Sequence, residues 1–173
     1  MIARALLEPR SVALIGASLD PLKASSRPWQ YLRESRFAGR VYAINPARAQ
    51  GGDLPIYARL SDLPEVPDHA YVMVSTGAVA AAVRDCAQAG VPLATIMAAG
   101  FAEAGDEGKD LLAEVRDIAR EGNVRLLGPS SLGVVNLRTD MRLTGNAIFA
   151  ERDLPVGGTA ILSQSGSMIG GLM

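Results

Sequence analysis

Apolar residues in this chain come in short, dense runs rather than in strict alternation. Ser11-Val12-Ala13-Leu14-Ile15, Val41-Tyr42-Ala43-Ile44, Ala70-Tyr71-Val72-Met73-Val74, Leu93-Ala94-Thr95-Ile96-Met97 and Val124 to Leu127 are the clearest. Runs this short, rich in β-branched and aliphatic side chains, predict strands buried on both faces. Between them lie stretches with helical patterning. Pro28 opens a helix from Trp29 to Ser35, where its missing N–H costs nothing. Ala78 to Ala89 is Ala-rich and ends at Gly90, a C′ glycine. Lys109 to Glu121 carries Leu111, Leu112, Val115, Ile118 and Ala119 on one helical face and stops at Gly122. A loop spaced by Pro55, Pro64 and Pro67 holds one short turn near Ser61-Asp62-Leu63. Strand and helix thus alternate, which predicts an α/β fold: a parallel sheet with helices on both faces.

The pattern fades from Met141 to Gly158 and then resumes. Thr159-Ala160-Ile161-Leu162 reads as a further strand and Met168 to Met173 as the opening of a helix. The expected organisation is a first domain over 1–140, a linker over 141–158 and the truncated start of a second domain over 159–173. A strand–helix unit cut after about one turn points to a fragment of something longer.

Composition narrows the chemistry. Of 173 residues, 49% are apolar, enough for a real core. The 17 basic and 18 acidic residues nearly cancel, so no basic field exists for nucleic acid, and 5% aromatics make a poor base-stacking surface. No apolar run approaches the roughly 18 residues of a membrane span, and no signal-peptide core precedes Arg10, so a cytoplasmic protein is expected. One cysteine, Cys86, and one histidine, His69, leave no internal disulfide and no clustered thiolate or imidazole metal site.

In a parallel sheet of this kind ligands bind outside the carboxyl ends of the strands. The residues there are small throughout. Gly16-Ala17-Ser18 begins the first loop, which runs through Lys23 and Arg27 to a helix start. Such a turn suits a phosphate, because backbone N–H groups approach closely and the helix dipole favours the anion. Lys23 and Arg27 add positive charge. The dinucleotide fingerprint is absent, since only Gly16 fits it, and no acid closes the second strand to hold a ribose hydroxyl. Asn45-Pro46-Ala47-Arg48 stands there instead, and Arg48 suits a ribose phosphate better. This disfavours a nicotinamide-dependent oxidoreductase. Ser75-Thr76-Gly77, Ala98-Ala99-Gly100-Phe101-Ala102-Glu103 and Gly128-Pro129-Ser130-Ser131 follow the next three strands. Together the loops look made for a long, flat ligand lying across the sheet edge.

Ile15-Gly16-Ala17-Ser18, Val41 to Pro46, Ala99 to Glu103, Leu127-Gly128-Pro129 and Leu162 to Gly166 occur in that order. In this the chain resembles the N-terminal CoA-binding domain of NDP-forming acyl-CoA synthetases, relatives of the succinyl-CoA synthetase alpha subunit. The resemblance implies a Rossmann-like domain holding CoA or acyl-CoA. It implies Gly16, Ala17 and Ser18 at the phosphates with Lys23 nearby, and Asn45, Pro46 and the basic Arg48 at the adenosine end. Ser75, Thr76, Ala99, Gly100 and Phe101 would line the adenine or pantetheine path, and Gly128, Pro129 and Ser130 the thiol end. Ser165 and Gly166 would open a helix of a second, flavodoxin-like domain, aimed at a phosphohistidine. ATP or ADP and Mg would enter only through further ligase domains, including an ATP-grasp domain, on the same chain or a partner subunit. The chain alone would bind but not catalyse.

Three departures from the family pattern stand out. Ser130-Ser131 replaces Asn-Cys after Gly-Pro, Ala47 takes the place of a lysine, and Ser75-Thr76-Gly77 lacks a proline. The first leaves room for an alternative, a catalytically silent CoA-sensing domain of a protein acetyltransferase fusion. Elsewhere the bland reading leads. His69 reads as a solvated loop residue, Cys86 as packing, Trp29 as a helix-to-sheet contact, and Asp106, Glu107, Lys109 and Asp110 as a helix start. Glu103, just past the fourth strand-end loop, remains open as a ligand or domain contact.

Overall fold

The computed structural model describes residues 2–18, 20–46, 56–151 and 153–172. A short helix, α1 (Ile2–Leu7), precedes β1 (Ser11–Ile15). Then follow α2 (Arg27–Glu34), β2 (Arg40–Ile44), β3 (Ile56–Tyr57), β4 (His69–Val72), α3 (Val79–Ala89), β5 (Leu93–Ile96), α4 (Asp106–Glu121) and β6 (Arg125–Leu127). Two further strands, β7 (Gly133–Asn136) and β8 (Met141–Thr144), and a helix, α5 (Gly166–Leu172), complete the order.

Strands β1 to β6 form one parallel sheet in the order β3-β2-β1-β4-β5-β6. This is the doubly wound, Rossmann-like arrangement, in which strand order reverses about the first strand. All five residues of β1 are buried, and they split between the two faces. Ala13 and Ile15 join Ala70, Val72, Ala94 and Ile96 under α3 and α4, which contribute Val79, Val83, Leu112 and Val115. Val12 and Leu14 join Ala43 and Tyr71 on the opposite face, under Leu32 of α2 and Met141 and Leu143 of β8. Both faces are covered, as the unbroken apolar runs require.

The helix ends follow local chemistry. Gly90 takes the left-handed conformation (φ 77°) that stops α3. The amphipathic repeat places the start of α4 at Lys109, but the helix begins at Asp106. Asp106 and Glu107 occupy its first turn and Arg120 its last, so the charges complement the helix dipole. Cys86 is fully buried inside α3, and burial pushes its thiol up to about 12. No described helix is long and apolar enough to cross a membrane.

Three expectations need correction. Residues 141–158 do not all link: Met141–Thr144 pairs antiparallel with Gly133–Asn136, so a boundary at 140 would cut a hairpin. The inward residues of the second strand, Met141 and Leu143, are only two, too few to show as a period, yet both are fully buried. Residues 159–162 form no strand, since no described segment pairs with them, and Leu162 is almost wholly exposed. His69 is not solvated. It is fully buried at the start of β4, its Nε2 lies 2.7 Å from Thr95 Oγ1 on β5, and the backbone of Ala5 in α1 lies beside it. Ala5, the buried residue of this six-residue helix, lies over the position, and a helix so short leaves no period in the sequence.

Burial disfavours the imidazolium and holds His69 down at about 4. Between pH 6.5 and 4 the unfolded chain therefore binds a proton that the native state refuses. Stability is full above about pH 6.5 and falls by about 3 kcal/mol as pH drops through that window. Urea melts of the parent and of His69→Gln between pH 7 and 4 should show this slope in the parent only. Parallel curves would remove His69 as its source.

Candidate functional site

The carboxyl ends of β2, β1, β4, β5 and β6 form a row of loops, each tied to its neighbour. At β1, Gly16 turns with φ 82° and its N–H donates to Ile44 O at 2.9 Å. A Cβ here would lie 2.9 Å from Val74 Cγ1 and 3.1 Å from the Met73 carbonyl carbon, so only glycine lets the loop leave beside β4. Ala17 and Ser18 are buried, and Ser18 Oγ accepts from Asp20 N at 3.1 Å. The loop passes Lys23, which is exposed and makes no ion pair among the described residues, and enters α2 with Pro28 near its start. Arg27, read as adding charge to this loop, donates from Nη1 to Gly145 O at 3.0 Å and braces the loop against the end of β8.

Asn45 knits the β2 end. Its N–H donates to Tyr57 O at 3.0 Å and its Nδ2 to Ala17 O at 3.1 Å, while Pro46 is exposed beyond it. Arg48 lies outside the described residues, with the rest of 47–55. At the β4 end Ser75 is exposed, and Thr76 Oγ1 donates to Ala99 O at 2.6 Å in the loop after β5. That loop is tied onward, since Ser130 N donates to Ala98 O at 2.9 Å and Ser131 N to Ile96 O at 3.0 Å. Gly128, a cis bond to Pro129, and Ser130 (φ 56°) make the β6 turn.

Gly16, Ala17, Ser18, Lys23, Asn45, Pro46, Ser75, Thr76, Ala99, Gly100, Gly128, Pro129 and Ser130 therefore share one edge of the sheet. Phe101 does not present its ring there; the side chain is fully buried in the core under α4. Ser165 and Gly166 lie at the start of α5, where Gly166 sits against the Leu132 side chain just past the β6 turn and its O accepts from Asn146 Nδ2 at 2.9 Å. Asn146 and Tyr71 escaped the sequence reading. The Tyr71 hydroxyl donates to Leu132 O at 2.9 Å and accepts from Gly145 N at 3.2 Å, and burial raises its pKa. A tyrosine inside an otherwise aliphatic strand was the available signal, because a buried hydroxyl needs a partner.

These features define an α/β domain of the doubly wound class. Residues 10–136 match the family described as a CoA binding domain, and the chain belongs to that family. It is 34% identical over 175 residues to the ADP-forming acetate–CoA ligase I alpha subunit of Pyrococcus furiosus, covering 97% of this chain and 36% of that protein. It is 37% identical over 164 residues to the ADP-forming acetate–CoA ligase I of Archaeoglobus fulgidus, covering 95% of this chain and 23% of that one. Among solved structures, the apo dinucleotide-forming acetyl-coenzyme A synthetase 1 of Ca. Korarchaeum cryptofilum superposes with a TM-score of 0.89 at 31% identity, covering 100% of this chain and 36% of that chain. The chain thus spans between 23% and 36% of these relatives' lengths.

Phe101 also fixes the β5 loop from behind. Gly108 in α4 sits against its backbone, so a Cβ there would lie 2.7 Å from the Phe101 carbonyl carbon and 3.2 Å from its Cα. Gly to Ala inside a helix ordinarily stabilises by about 1 kcal/mol. Here the sign should reverse, and Gly108→Ala should lower the unfolding free energy by about 1–3 kcal/mol. A chemical melt in which Gly108→Ala gains stability would contradict this packing.

Proposed function

We propose that this chain holds CoA along the tied strand-end loops, as the CoA-binding part of an NDP-forming acyl-CoA synthetase. The observation that carries the reading is the continuous row of small, cross-linked loops from β2 to β6, in a member of the CoA binding domain family. Gly16, Ala17 and Ser18 at the entrance to α2 take the phosphates, with Lys23 as a cation that makes no ion pair among the described residues. Asn45, Pro46 and Arg48 take the adenosine end. Ser75, Thr76, Ala99 and Gly100 line the path of the pantetheine, and Gly128, Pro129 and Ser130 its thiol end. Phe101 contributes through its backbone.

The whole protein would interconvert acid, CoA and NTP with acyl-CoA, NDP and phosphate. That reaction runs through an acyl phosphate and a phosphohistidine, with ATP or ADP and Mg held by ATP-grasp and other ligase domains. The one histidine in this chain, His69, is buried beneath α1 and cannot be the phosphorylated residue. This piece presents CoA; Ser165 and Gly166 begin the helix that faces the phosphohistidine.

Calorimetric titration with CoA, dephospho-CoA and NADPH tests the reading. CoA should bind more tightly than either comparator, and an equal or tighter response to NADPH would overturn it. Lys23→Glu exposes the phosphate assignment separately. The side chain is exposed, so folding should be unchanged, while reversed charge should weaken CoA binding about tenfold or more. Unaltered affinity would move the phosphates away from the first loop. Gly16→Val is a poorer test, because the contacts with Met73 and Val74 would strain the fold as well as the site.

A further inference from the structure

Glu103 lies past the fourth strand-end loop, is exposed, and makes no salt bridge among the described residues. It is nonetheless held. Its Oε1 accepts from Gly100 N at 2.7 Å, and Ser130 Oγ reaches the same oxygen at 3.5 Å. The backbone N–H groups of Glu103 and Gly100 keep its carboxyl below the usual carboxylate range. Gly100 (φ 91°) and Ser130 (φ 56°) are both left-handed residues, the first in the β5 loop and the second in the β6 loop. One side chain thus spans the tips of two adjacent loops, outside the backbone bonds that join their bases.

We propose that Glu103 is a positioning residue that sets the gap between the Gly100 and Ser130 turns, and so the seat of the uncharged arm of CoA. The inference rests on the CoA reading and extends it to a residue that touches no ligand phosphate. Strand order separates the two halves of the ligand. The first loop and the β2 end lie on one side of the reversal, and the β5 and β6 ends lie on the other. Loosening the β5–β6 tips should therefore affect the pantetheine half alone. A carboxylate also occupies the Gly100 N–H and adds negative charge there, which makes this end a poor seat for a phosphate.

The experiment compares CoA with adenosine 3′,5′-bisphosphate, its nucleotide end, by calorimetry on the parent, Glu103→Ala and Glu103→Gln, with a thermal melt of each. Glu103→Ala should lose about tenfold in CoA affinity, the scale of one charge-assisted hydrogen bond. Glu103→Gln keeps an acceptor for Gly100 N–H and should stay within about threefold of the parent. Neither variant should change binding of the bisphosphate. Equal losses for both ligands, or an unchanged CoA affinity in Glu103→Ala, would overturn the proposal. A parent that binds the bisphosphate as tightly as CoA would also overturn it, because the arm would then have no seat. A parent that binds neither would instead remove the CoA reading itself.

Discussion

A central parallel strand has to satisfy hydrogen bonds along two edges and bury both of its faces at once. Strand β1 does so with β2 and β4 in register on either side and none of its five residues exposed. Every other layer answers to that constraint. Helices α3 and α4 cover one face, and α2 with the β7–β8 hairpin covers the other. The use of a hairpin where a doubly wound fold would place a helix explains why the chain between β6 and α5 is committed to packing. It also explains why polar groups at the hairpin's ends, Gly145 and Asn146, are pinned by Arg27, Tyr71 and their own caps.

The same constraint shapes the strand-end edge. Parallel strands finish together, so their last carbonyls and the next N–H groups must find partners in neighbouring loops. They find them sideways: Gly16 with Ile44, Met73 with Ile15, Met97 with Val72, Ser131 with Ile96. Side chains extend the lacing through Asn45, Thr76 and Glu103. An edge built this way is preorganised. Little loop entropy remains to be lost to a ligand that binds there.

Much of this was legible in the sequence because dense apolar runs and strand-end glycines are local signals. Five of the six strands of the parallel sheet and the three longest helices could be placed from them, and the strand-end loops followed from topology. What stayed hidden depends on tertiary contact. His69 reads as polar and therefore exposed, until α1 is seen to roof it. The hairpin carries its inward face on Met141, Leu143 and the half-buried Val134. Phe101 sits in a motif read as lining the ligand, yet its ring packs into the core under α4, where Gly108 leaves room for its backbone. Arg27 reads only as a charge on the first loop, and its tie to a carbonyl 118 residues away is invisible there. Charge is visible in a sequence; the partner that uses it is not.

The position of Cys86 has a consequence for the chemistry of a thiol ligand. It is the chain's only cysteine, it has no exposed surface, and burial holds it in the protonated form. The folded domain therefore offers no competing thiolate to a sulfhydryl cofactor. Mixed disulfides between cofactor and protein are suppressed by the core itself. In the folded state an electrophilic label would report the cofactor's own sulfur, free of background from the protein.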